Sequence, residues 1–132
     1  MSAAKLISTR DLIVVSADGK LDLPATETAL VQLIAELERE PGRSVVFDLR
    51  KAKCDFSLAE VYGLVNFLAT HSSQKTLYRR IAVLISATIH QPKASFFTLC
   101  AENRGLEAKA FTALKDVCNW LGNDAAGLLG SD

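Results

Sequence analysis

Hydrophobic positions along the chain switch between two periods. Leu12-Ile13-Val14-Val15-Ser16 is a short β-rich run, preceded by a weaker one at Lys5-Leu6-Ile7-Ser8 with Arg10-Asp11 as the turn between them. Asp18-Gly19 breaks the second run and Lys20-Leu21-Asp22 resumes it. The period then becomes helical: Pro24 suits a first turn, where its missing N–H is not needed, and Leu30, Leu33, Ile34 and Leu37 form one stripe. Pro41-Gly42 ends that helix. Ser44-Val45-Val46-Phe47-Asp48-Leu49-Arg50 follows as a strand whose apolar start predicts cover on both faces and a parallel neighbour. Ser57-Leu58-Ala59-Glu60 is a capping box opening a second helix that runs to about Ser72. Arg80 to Ser86 is the strongest strand in the chain. Pro92 opens a third helix, and Gly105 closes it with Leu106 placed for a Schellman contact. A strand over Glu107 to Phe111 and a helix capped by Thr112, with Leu114, Val117, Cys118 and Leu121 on one face, complete the pattern.

The order ββαβαβαβα predicts a single α/β sandwich: a five-stranded mixed sheet covered by four helices, with right-handed crossovers. The domain is expected over residues 1–122, with 123–132 as a flexible C-terminal tail. Composition narrows the function classes. A chain of 132 residues that is 49% hydrophobic and 23% charged has a core large enough to need no disulfide or metal staple. Fifteen basic residues balance fifteen acidic ones, which argues against capture of nucleic acid or of an anionic membrane surface. No apolar run is long enough for a signal peptide or a membrane span, so a cytoplasmic protein without integral membrane association is expected. Cys54, Cys100 and Cys118 have no C-x-x-C spacing, so neither a metal site nor a redox pair is indicated, and no cofactor is expected.

The candidate chemistry is sparse. Ser57 is read first as a helix N-cap, worth about 1 kcal/mol, and second as a phosphoacceptor whose phosphate would sit on the positive end of a helix dipole. A nucleophile needs a base within reach; His71 lies late on the second helix, and His90 follows a strand on the edge where Ser57 begins its helix. No G-x-S-x-G elbow or glycine-rich phosphate loop accompanies them, and no enzyme is expected. Asp48 closes its strand with Arg50, Lys51 and Lys53 just beyond, read either as solvated charges or as an anion-binding lip near Ser57. On the second helix, Leu58, Val61, Tyr62, Val65, Leu68 and Ala69 form the stripe expected to bury. Leu64, about 100° away, and Phe67, nearly opposite, are then an exposed contact patch or lie under a loop or the tail. Phe96, Phe97, Tyr62 and Trp120 are core or, if the third helix stands off the sheet, the walls of an apolar pocket.

Several of these segments resemble STAS domains, the fold of anti-sigma-factor antagonists. Gly19-Lys20-Leu21-Asp22 looks like the family's G-x-L-D, Val45-Val46-Phe47-Asp48-Leu49 like its D-L strand, and Asp55-Phe56-Ser57 stands near the end of its D-S-S-G-L loop. Tyr78-Arg79-Arg80-Ile81-Ala82-Val83-Leu84, Gly105, Ala110-Phe111 and Asn119-Trp120-Leu121 resemble the branch related to SEC14 lipid-binding domains. The resemblance spans residues 10–122 and implies a SpoIIAA-like fold and a regulatory module acting through a protein partner or self-association as a homodimer. It also implies Ser57 as the phosphoacceptor, beside Asp48 and Asp55. The chain differs from the motif in placing Phe56 between Asp55 and Ser57, and Leu58-Ala59 after it. The SEC14-like side of the resemblance implies a small apolar ligand instead.

Overall fold

The computed structural model describes residues 4–71, 78–86 and 91–122. Five strands form one sheet in the order β1 (Ala4–Ser8), β2 (Leu12–Leu21), β3 (Arg43–Cys54), β4 (Tyr78–Leu84) and β5 (Ala108–Phe111). β1 is antiparallel to β2, and every later pair is parallel. The helices are α1 (Leu23–Arg39), α2 (Leu58–His71), α3 (Gln91–Asn103) and α4 (Leu114–Leu121). The predicted α/β sandwich, with a five-stranded mixed sheet and four helices, is the observed one.

The strand order advances by one neighbour at each crossover. Three crossovers of one hand stepping the same way deliver their helices to the same face. Accordingly Ile13, Val15, Val45 and Ile81 pack with Leu30, Leu33, Leu37, Val65, Leu68 and Ala101 of α1–α3. Their neighbours in sequence, Leu12, Val14, Val46, Ala82 and Leu84, point the other way and meet Leu114, Val117 and Cys118 of α4. The long apolar strands β2–β4 are therefore covered on both sides, which is why they read as near-continuous apolar runs.

Local chemistry sets the element ends. Asp22 caps α1, its Oδ1 accepting from the Ala25 N–H at 2.9 Å, with Pro24 in the first turn. α3 ends in a Schellman motif: Leu106 N–H donates to Ala101 O at 2.9 Å and Gly105 N–H to Glu102 O at 3.0 Å, with Gly105 at φ +82°. α4 is capped differently from the expectation. Its N-cap is Ala113, with no side-chain bond, rather than Thr112. β3 also runs four residues beyond the expected Arg50. Between the pairs Ser16–Asp48 and Asp18–Lys51 it carries one extra residue, a bulge that lets it resume pairing through Leu21–Cys54. Asp48 holds that bulge: its carboxylate accepts from the Arg50 backbone N–H at 3.3 Å and from the guanidinium at 2.9 and 3.0 Å.

Arg43 ties the sheet's other edge together. It is 4% exposed, and its guanidinium donates to Glu40 O at 3.0 Å, to Thr9 O at 3.3 Å and to Glu36 O. Two of these carbonyls belong to the end of α1, where a cation also suits the helix dipole.

Candidate functional site

The extension of β3 carries the chain to the carboxyl edge of the sheet, where Asp55-Phe56-Ser57 leads into α2. The capping box forms in both directions. Glu60 N–H donates to Ser57 Oγ at 3.1 Å, and Ser57 N–H donates to Glu60 Oε1 at 2.8 Å. Both Asp55 and Ser57 are exposed. Phe56, the residue separating them, is 9% exposed and turns inward as the anchor of the loop. The first two turns of α2 then leave Leu58 (53% exposed), Ala59, Tyr62 (44% exposed) and Gly63 at the surface. A Cβ on Gly63 would meet nothing within 4 Å, so the helix backbone is bare there.

Beneath this edge lies an apolar cavity of about 110 Å³ between the sheet and α1–α3. Val15, Leu21, Phe47, Phe56, Leu64 and Phe97 are among its walls, and Phe47 and Phe97 meet edge to face with centroids 6.2 Å apart. No polar atom contributes to the wall. Cys54 and Lys93 also line it, Lys93 through its aliphatic stem alone. Burial pushes the Cys54 thiol above its ordinary pKa, and the Lys93 charge pulls the other way.

The structure brings together some of the expected site residues and separates others. Leu64 is 8% exposed and lines the cavity, and Phe67 is half-buried against the main core. The exposed Leu64–Phe67 patch is thus corrected. The buried stripe is Val61, Leu64, Val65 and Leu68, rotated by about 50° from the expected one. The cause is an apolar arc running from Tyr62 round to Phe67 over more than half the helix, too wide to set the phase closely, and a tyrosine hydroxyl that needs a polar partner. Tyr62 turns out to Arg104, which donates to its hydroxyl and stacks 5.3 Å from its ring centroid. Tyr62 therefore leaves the expected pocket. Trp120 leaves it too, lying across the sheet on the α4 side against Phe111 at 5.5 Å, with Arg80 and Lys109 over its ring. Phe96 is half-buried against the core and is not among the cavity walls; of the four expected residues only Phe97 is.

Asp48 is likewise apart from Ser57. It pairs in register with Leu84, whose side chain belongs to the α4 core, so Asp48 points away from the α2 side. Its partner Arg50 is taken up in the same bulge, while Lys51 and Lys53 are exposed. His90 and the 123–132 tail lie outside the described residues. Among the described residues no cluster of three metal-ligating side chains occurs, and no helix is long and apolar enough to cross a membrane. Among the described residues the strand order never reverses, so they form no switch-point crevice of the kind that holds nucleotides. Sequence reasoning missed Leu58 as a surface residue, and Cys54 and Lys93 as cavity residues. The one available signal was the position of Cys54 three residues before the cap, on no apolar stripe of its own.

No protein-family model matches the chain, and no curated protein matches it significantly. Solved structures do. A SpoIIAA-like-fold protein of the DUF3478 family from Shewanella loihica PV-4 superposes with a TM-score of 0.60 at 18% identity, over 91% of this chain and 93% of its own. An anti-sigma factor antagonist from Mycobacterium paratuberculosis superposes with a TM-score of 0.58 at 20% identity, over 92% and 94%. The fold is SpoIIAA-like.

Proposed function

We propose that the protein is a non-catalytic regulatory module that works by binding another protein, with the first two turns of α2 as the contact surface and Ser57 as its phosphorylation switch. The observation that carries this reading is the exposed Ser57 hydroxyl standing beside exposed Leu58 and Tyr62. Leu58, Ala59, Tyr62 and Gly63 make a flat apolar strip with two large side chains flanking bare backbone, a shape suited to close approach by a partner. The likeness to an anti-sigma factor antagonist supports the regulatory reading at the level of fold.

The capping box explains how a phosphate would act. Ser57 Oγ and the Glu60 carboxylate hold each other's backbone N–H. Phosphorylation adds about −1.5 to −2 charges at Ser57. The new group repels the Glu60 carboxylate, displaces it from the Ser57 N–H and takes its place at the helix N-terminus. One modification thus changes both the charge and the side-chain arrangement beside Leu58. The test is affinity capture from the native host with the wild-type chain and with Leu58→Asp and Ser57→Asp, read by mass spectrometry. A protein retained by wild type and lost with both variants, and phosphate found on Ser57, are expected. An unchanged set of captured proteins overturns the proposal.

A second reading is favoured by a different observation. The wholly apolar cavity under α2 is suited to a small apolar ligand. Its volume falls slightly below that of a buried cavity of about 150 Å³ known to admit benzene.

A further inference from the structure

The cavity's surroundings narrow the class of ligand, an inference that rests on the second reading above. A purely apolar compartment needs no cation, yet Lys93 extends its stem along the wall. Lys93 as a whole is half-buried, and its polar end adds nothing to the wall. Among the described residues no carboxylate pairs with it. Nor does its position serve the helix. Lys93 lies in the first turn of α3, where a positive charge opposes the helix dipole. A half-buried lysine that lines an apolar cavity without a counter-ion is an incomplete arrangement, and an amphipathic anion completes it.

We propose that the cavity binds a small carboxylate with a short aliphatic tail, the tail seated among Val15, Leu21, Phe47, Leu64 and Phe97 and the carboxylate paired with Lys93. The volume of about 110 Å³ sets the tail at about four to five carbons, by comparison with the cavity of about 150 Å³ that holds benzene. Burial of the tail supplies affinity in proportion to the apolar area removed from water. The ion pair supplies the preference for an acid over a neutral molecule of the same length.

Cys54 gives the experiment a reporter inside the site. It lines the cavity and is only partly buried, whereas Cys100 and Cys118 are buried in the cores. Cys54 in the full-length protein is labelled with a small methanethiosulfonate, and its rate is followed by peptide mass spectrometry. Hexanoate, 1-hexanol and acetate are compared at matched concentrations. The expected result is protection by hexanoate at a concentration at least tenfold lower than by hexanol, and none by acetate. Lys93→Met should abolish the difference between hexanoate and hexanol while leaving protection by both. Ala94→Leu, which fills the cavity from α3, should remove protection by either; should that variant fail to fold, the Lys93 comparison stands alone. Equal protection by hexanoate and hexanol in the wild type overturns the anion inference and leaves the apolar-ligand reading in place. Protection by neither overturns both.

Discussion

The two faces of the sheet are built by different means. On one, three helices spanning up to 17 residues cover the sheet from end to end and still leave a cavity beneath α2. On the other, one helix of 8 residues suffices, helped by the Phe111–Trp120 contact and by two cations over the Trp120 ring. More cover has not meant tighter filling. Here α2 meets both α1 and α3 as well as the sheet, and a gap remains between the sheet and the three helices, lined by Leu30, Leu64 and Phe97 among others. A single short helix settles onto whatever lies below it.

That contrast is testable with matched truncations. Leu33→Ala, fully buried under α1, should cost about 3–5 kcal/mol, and Leu114→Ala, 8% exposed under α4, about 2–3 kcal/mol, because a lone helix collapses into the space more readily. Equal losses in urea denaturation would break the comparison. A matched pair of arginines is the next largest effect. Arg43→Met strands three part-buried carbonyls and should cost about 1–3 kcal/mol. Arg80→Met loses the half-exposed Glu107 pair, one bond to the Trp120 carbonyl and the stack on the Trp120 ring, and should cost less than Arg43→Met, about 1 kcal/mol, in the same assay.

Ser57→Ala removes one half of the capping box on the three-helix face and should lower stability by about 1 kcal/mol. α4 has no side-chain cap to lose, so Ala113→Ser should raise stability by a comparable or smaller amount; calorimetry reads both. The smallest effect concerns Cys54. Its folded pKa is raised by burial, so the neutral thiol is the favoured folded form. The corresponding stability is complete below the unfolded pKa of about 9 and is lost as pH rises through the folded value. Unfolding curves from pH 8 to 10.5 should fall more steeply for wild type than for Cys54→Ala; parallel curves would show no linkage.

The elements are legible in the sequence wherever backbone chemistry marks them. Asp22 and Pro24, the Ser57–Glu60 box, and Gly105 with Leu106 each fix an end through a hydrogen bond or a dihedral that only certain residues provide. The two-faced burial of β2–β4 follows from their apolar runs. The rotation of α2 is not legible, because Val61, Tyr62, Leu64, Val65, Phe67 and Leu68 spread over more than half its circumference and leave a choice of which part to bury. Its phase is decided by Arg104, forty-two positions away in sequence. The side of the sheet that Trp120 occupies is set by where α4 packs after β5, and the cavity by how three helices and the sheet come together; neither is a property of any local segment. Asp48 illustrates the opposite case. Its motif is visible, yet its role is to clamp a bulge that appears only when β2 and β3 are paired.

The monotonic strand order has a consequence for synthesis. Each strand hydrogen-bonds to the one made just before it, so no later segment must be inserted between two that are already joined. A nascent chain can therefore add one strand–helix unit at a time to a finished edge. The loops it closes are short, and their closure entropy grows only slowly with length. Folds in which the order reverses must hold a slot open, with unpaired backbone exposed, until the missing strand is translated. Here no slot is ever held open: the unpaired backbone at any moment is the growing edge and the outer edge of the short β1, and the hazard of sticking to a neighbouring ribosome's product is confined to these two.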